Sequence, residues 1–152
     1  MKFTVTISQN EENNGMNKII LSPEEITYVE YNFEQLNKNS LANMESIAEI
    51  KISGKLLSNV GIESNGDPSL YEKNKENVKG ICEWAFGYKD KTDYRNVSLE
   101  VELGDEKTYF YSFKNMFAIK LQQSFSVNYG VSAYVLTLKQ KYFEDIKVNI
   151  EY

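Results

Sequence analysis

Along most of this chain apolar and polar residues alternate one for one, the period of a strand with one face on a core and the other in water. Phe3, Val5 and Ile7 alternate with Lys2, Thr4 and Thr6 and predict a first strand. Residues 18–22 predict a short second strand, ended by Pro23, and residues 25–33 a third. In residues 46–58, Ile50, Ile52, Gly54 and Leu56 share one face of a fourth. Val97, Leu99, Val101 and Leu103 alternate with Ser98, Glu100 and Glu102, and Gly104, Asp105 and Glu106 turn the chain. The longest alternation runs over residues 108–141 with a break at Asn128, Tyr129 and Gly130, the pattern of one long hairpin. Its alternation assigns Phe117, Ile119, Leu121 and Phe125 to the core face, and Tyr134, Leu136 and Leu138 to the core face of the returning strand. Ile146, Val148, Ile150 and Tyr152 predict a last strand.

One segment changes period. Tyr71, Asn74, Val78, Ile81 and Ala85 fall at three- and four-residue spacing and form a single helical stripe, widened by Cys82 and Phe86. Asp67 is suited to cap the helix, Pro68 to its first position and Gly87 to its stop, so the helix is expected over 68–86. Gly80 inside it costs about 1 kcal/mol relative to alanine, which points to close packing against a sheet there. Residues 34–45 are polar, rich in asparagine and without period, and read as a long loop. Strands that are apolar on one side and too numerous for one flat sheet predict an antiparallel β-barrel or a two-sheet sandwich with one flanking α-helix. The whole chain, 1–152, reads as a single domain.

Composition narrows the chemistry. Of 152 residues, 41% are hydrophobic and 26% charged, enough apolar material for a core. The net charge of -5, with Arg95 the single arginine, weighs against duplex DNA and anionic membranes. No stretch approaches eighteen apolar residues, and the first fifteen residues lack the apolar core of a secretory leader. Histidine is absent and Cys82 is the single cysteine, so disulfide, zinc and the commonest general base are missing from the repertoire. Glu11, Glu12, Glu24 and Glu25 lie near turns and read as solvated charges, Cys82 and Trp84 as core residues of the helix, and the tyrosines as strand packing. No catalytic set, metal site or cofactor site emerges, and the chain is expected not to be an enzyme.

The last third carries a resemblance. Tyr111 to Asn115, an aromatic-x-Phe-Lys-Asn opening, the Ser124-Phe125 pair, the exit from Leu136 to Lys141 and the closing stretch Ile146 to Tyr152 resemble the C-terminal part of tail-tube proteins of contractile injection systems. These include phage and phage-like tail tubes and the haemolysin-coregulated tube protein of type VI secretion. The likeness covers residues 95–152 by motif and the remainder by element order: strands, an early polar loop, one helix, then strands.

What the resemblance implies is a structural subunit: six copies form a ring, rings stack into a hollow tube, and long strands of neighbours join into one lumen wall. On that reading the hairpin's edges pair with neighbouring subunits. Lys120, Gln122, Ser124, Thr137 and Lys139 then lie on a solvated face, the lumen wall, and Leu36, Asn37, Lys38, Asn39, Leu41 and Met44 at a subunit or ring interface. The implied partners are further copies, sheath and baseplate or spike proteins, and effector cargo in the lumen, with no nucleic-acid sequence recognition and no membrane span. Assembly is expected in the cytoplasm, within a particle that is released or fired. Two other readings stand beside it: a monomeric β-barrel binding a small ligand, and a baseplate or tail-adaptor protein of the same machine.

Overall fold

The computed structural model describes residues 1–9, 18–35, 46–57, 68–87, 94–126, 132–140 and 147–151. In chain order they form β1 (Lys2–Gln9), β2 (Ile19–Leu21), β3 (Ile26–Gln35), β4 (Ser46–Leu56), α1 (Pro68–Phe86), β5 (Arg95–Gly104), β6 (Lys107–Ser124), β7 (Ser132–Gln140) and β8 (Lys147–Glu151). The strands make one antiparallel sheet in the order β2-β1-β5-β6-β7-β4-β3, with β8 also on β6. The mainly-β class with a single helix follows the alternation read from the sequence, and the predicted helix bounds match α1. Asp67, the expected cap, lies outside the described residues.

The described strands do not close into a barrel, because β2 and β3 stand at the two ends of the hydrogen-bonded path. The sheet folds over on itself instead. The ring of Tyr31 on β3 packs 5.5 Å from that of Tyr111 and 5.7 Å from that of Phe113, both on β6, although two strands separate β3 from β6 along the sheet. The two-layer arrangement is therefore made from one sheet, and β6 belongs to both layers. Residues 107–116 of β6 pair with β5, residues 108–112 also with β8, and residues 116–124 with β7.

Two bulges let β6 change layers. Between Phe113 and Met116 it carries one residue more than β5, and Asn115 there has φ 55°. Asparagine is among the few residues that enter this left-handed region readily. The Asn115 N–H donates to Asn96 Oδ1 at 3.2 Å, and Gln140 Nε2 donates to the Lys114 carbonyl at 3.0 Å. Opposite β7 a second extra residue, Ile119, falls between Ala118 and Lys120. Each bulge inverts the side-chain alternation. The core-facing set on β6 is thus Tyr109, Tyr111 and Phe113, then Met116 and Ala118, then Leu121. This corrects the unbroken alternation expected there: Leu121 packs on the core, but Ile119 is 46% and Phe125 69% exposed. Leu103, also assigned to the core face, is exposed at the turn end of β5.

Elsewhere the alternation holds. Val5 and Ile7 of β1, Ile50 and Ile52 of β4, Val97 and Leu99 of β5, and Leu136 and Leu138 of β7 are all buried, each contributing about 1.5–3 kcal/mol over an exposed position. The helix lays Val78, Ile81 and Trp84 onto this core and touches β2, β4 and β6. A Cβ on Gly80 would come 3.0 Å from Ile19 Cδ1, which accounts for the missing side chain at the closest approach of helix and sheet. The guanidinium of Arg95 lies 5.0 Å from the ring centre of Trp84, a cation–π contact that adds about 0.5–2 kcal/mol.

Asn74, in the middle of the apolar stripe, is fully buried, and its partner overturns one expectation. Glu25 is not a solvated turn charge but is 1% exposed. Its carboxylate accepts from Ser22 N (2.8 Å), Ser22 Oγ (3.0 Å), Asn74 Nδ2 (3.0 Å) and Asn77 Nδ2 (3.1 Å). Asn74 Nδ2 also donates to the Lys55 carbonyl and its Oδ1 accepts from Leu57 N, while Lys55 N donates to the Glu25 carbonyl. The network ties the β2–β3 turn and the end of β4 to the helix. Burial is tolerated because neutral donors satisfy both oxygens of the carboxylate.

Candidate assembly surface

Among the described residues, the features that call for a partner are strand edges. An edge strand exposes a ladder of unpaired N–H and C=O groups, which proteins shorten, cover or use for association. At one end of the sheet β2 has three residues. The helix flanks it, and Asn77 Nδ2 donates to the Ile20 carbonyl at 2.9 Å. At the other end β3 has ten residues and pairs with β4 on one side; on the other it hydrogen-bonds to no described strand, although it approaches β1. The second long free edge belongs to β6: beyond Met116 no described strand pairs with the side opposite β7.

These two edges bound a four-stranded layer, β6 (residues 117–124), β7, β4 and β3. This corrects the expectation that the hairpin pairs its edges with other subunits. Within the chain β4 covers the outer edge of β7, and β5 covers the first half of β6. Among the described strands, the open edges of this layer are those of β3 and of the last half of β6, and the short β8 has one of its own.

The outward face of the layer is a set of cross-strand rows. One reads Lys120, Thr137, Lys51, Glu30 and the next Gln122, Val135, Ser53, Tyr28, from β6 to β3. Lys120, Gln122 and Ser124 are exposed and Lys139 half-buried. Thr137 departs from the solvated face expected for it, being 5% exposed. It is a short side chain whose register partners on the two neighbouring strands are the long Lys51 and Lys120. Leu36, Asn37, Lys38, Asn39, Leu41 and Met44 lie outside the described residues.

At the β3 edge three alternate residues share hydrogen bonds on this face. Tyr28 Oη donates to Glu30 Oε2 at 3.0 Å and Asn32 Nδ2 to Glu30 Oε1 at 3.3 Å. The bond to Glu30 raises the pKa of the Tyr28 phenol above its usual value. The sequence reading passed over this triad, although its i, i+2, i+4 spacing in a strand was visible. The inward side of β3 carries Tyr31 (41% exposed) and Phe33 (50% exposed), large apolar groups at an open edge.

Other features are structural. Burial pushes the Cys82 thiol up from its ordinary value; Gln123 Nε2, which donates to its sulfur at 3.5 Å, acts in the opposite direction and is the smaller of the two effects, so nothing here activates the thiol. A groove of about 620 Å³ runs between β2 and the helix, lined by Lys18, Ile20, Ser22, Lys73, Glu76 and Asn77 among others. Among the described residues no group of histidine, cysteine or acidic side chains could hold a metal, and no helix is long and apolar enough to cross a membrane.

No protein-family model and no curated protein matches the chain. Among solved structures it is similar to a chain in the cryo-EM structure of the anti-feeding prophage (AFP) baseplate, 6-fold symmetrised. The two are 13% identical, the match covers 97% of this chain and 92% of that one, and the TM-score is 0.48.

Proposed function

We propose that this chain is a structural subunit that associates through its sheet edges into rings, as the inner tube of a contractile injection system or a phage-like tail does. The observation that carries the reading is the four-stranded layer with two long open edges and a polar outward face. Four strands that alternate in direction leave β6 and β3 antiparallel to one another. Copies related by rotation about a ring axis therefore bring β6 of one beside β3 of the next, still antiparallel, and the sheet continues across the seam. Such a contact uses two different surfaces of the same chain, and repeated by rotation it closes into a ring. The outward face then lines the ring, with Lys120, Gln122, Ser124 and Lys139 towards water. Six-fold closure, stacking into a tube, and sheath, baseplate, spike and cargo as partners come from the resemblance of residues 95–152. In this reading the chain catalyses no reaction, needs no cofactor, and is assembled in the cytoplasm.

Light scattering and negative-stain images of the purified chain test the proposal. Rings, and at higher concentration stacked rings, are expected. Rings that never stack alone, but cap a tube of another protein, would move the chain to the adaptor role in the same machine. A monomer at every concentration would refute the ring.

A further inference from the structure

We infer that Glu30 of one copy pairs with Lys120 of the next, and that this ion pair fixes the register of the seam between β3 and the free half of β6; the inference rests on the assembly proposed above. Among residues 117–124 of β6 Lys120 is the one cation. β3 carries two anions on this alternation, Glu30 at mid-strand and Glu34 next to its end. Lys120 and Glu30 belong to the same cross-strand row, at its two ends, so extending that row into the next copy sets them opposite one another.

The carboxylate is ready for a cation. Tyr28 and Asn32 each give it one neutral hydrogen bond and hold it at the edge. No described cation is in ion-pair contact with Glu30, and no described anion with Lys120. The same register sets Leu121 opposite Val29, both half-buried against the core, and Gln122 opposite Tyr28. A slip of one residue would put the inward Leu121 against an outward polar neighbour. A slip of two would leave Glu30 facing either Gln122 or the bulge at Ile119. A slip of four would set Lys120 against Glu34 but leave residues 26–29 of β3 without partners on residues 117–124 of β6. Charge, alternation and the length of overlap together therefore favour the Glu30 register.

Two measurements test it in the full-length chain. With Cys82→Ser as background, Tyr28→Cys combined with Gln122→Cys should give a ladder of disulfide-linked copies on a non-reducing gel, since directly opposed strand residues lie within disulfide reach. Tyr28→Cys with Ser124→Cys should not. Separately, Glu30→Lys or Lys120→Glu should raise the concentration of half-assembly about fivefold or more, and the double exchange should recover most of the loss. Both side chains lie on the outward face, so the far-ultraviolet spectrum and melting temperature of unassembled material should not change. Rings that cross-link at another offset, or a double exchange as poor as the worse single one, would overturn the register and leave the ring reading standing. An unsubstituted chain that never associates would overturn both.

Discussion

The two layers of this sheet obey the same alternation and end in opposite ways. The layer of β2, β1, β5, the first half of β6 and β8 ends on a three-residue strand, whose Ile20 carbonyl is taken by Asn77 of the helix, and on the five-residue β8. The layer of β6, β7, β4 and β3 ends on a ten-residue strand and on an eight-residue length of β6, residues 117–124, neither hydrogen-bonded to a described strand on its outer side. Burial of the inner faces cannot explain the difference, since both layers bury a full set of apolar residues. The difference lies in the length of the edges: one layer ends on short strands, one of them flanked by the helix, and the other ends on two long ladders.

The strongest way to break the comparison is to remove what the layers share. Ile81 is 1% exposed on a helix that touches both. Ile81→Asp should cost about 4 kcal/mol by burying an unpaired charge, lowering the melting temperature by roughly 10 °C. A single cooperative transition is expected in calorimetry. Loss of one layer alone would mean that they fold as separate units.

Glu25→Ala acts next, by about 3 kcal/mol, because it strips the acceptor from buried donors of Asn74, Asn77 and Ser22. The loss should show first in the covered edge. Hydrogen exchange at Ile19–Leu21 should quicken more than in β7, and uniform acceleration would deny that the network serves that edge. Gly54→Ala tests the other layer. A Cβ there would overlap the ring of Tyr134 on the neighbouring strand, and the forced shift should cost about 1–3 kcal/mol. A neutral result in thermal melts would show that this layer is loosely packed.

The smallest effect runs the other way. The Tyr134 hydroxyl is buried and no described group accepts or donates a hydrogen bond to it. Tyr134→Phe should be neutral or stabilise by about 1 kcal/mol. Burial, and then the charge of Glu25, raise the phenol's pKa above the ordinary 10.0. A raised folded value means that the stability linked to this proton is present below pH 10.0 and lost as pH rises above it. Denaturant titrations of the phenylalanine variant should therefore show a shallower alkaline decline than those of the unsubstituted chain.

The regular strands and the helix were legible because burial on one face writes a period into the sequence. Val5 and Ile7, Ile50 and Ile52, and the stripe through Val78 and Ile81 are cases where one face decided everything. The misreadings fall where a single backbone residue intervenes. Nothing in the side chains of 113–121 marks the two extra residues that flip β6, apart from an asparagine at 115 that tolerates the turn. Glu25 was misread for a different reason: beside the local Ser22, two of its partners, Asn74 and Asn77, come from the helix, some fifty residues on. The hint was Asn74, a polar residue inside an apolar stripe, which a core admits when it has a partner to satisfy. Of the assembly surface, the polar outward face could be read from residues 120–124, whereas the free edges could not, since strand order is a long-range property.

Strand order also governs the tempo of folding. Lys2 pairs with Glu102 and Glu49 with Lys139, so β1 and β4 find their second partners only after most of the chain exists. At 5–20 residues per second, β4 waits roughly 5–20 s for β7 during synthesis. Until β6 arrives the first half of the chain holds two separate hairpins, β1–β2 and β3–β4. The meander β5–β6–β7 is local in sequence and closes with little loop entropy, and it then recruits the earlier hairpins to either side. Pulse-labelled exchange should find amides of β5, β6 and β7 protected before those that β1 and β4 give to them. A copy thereby gains its second free edge only when its last third has been made, so the ring proposed above would have to wait for a whole chain.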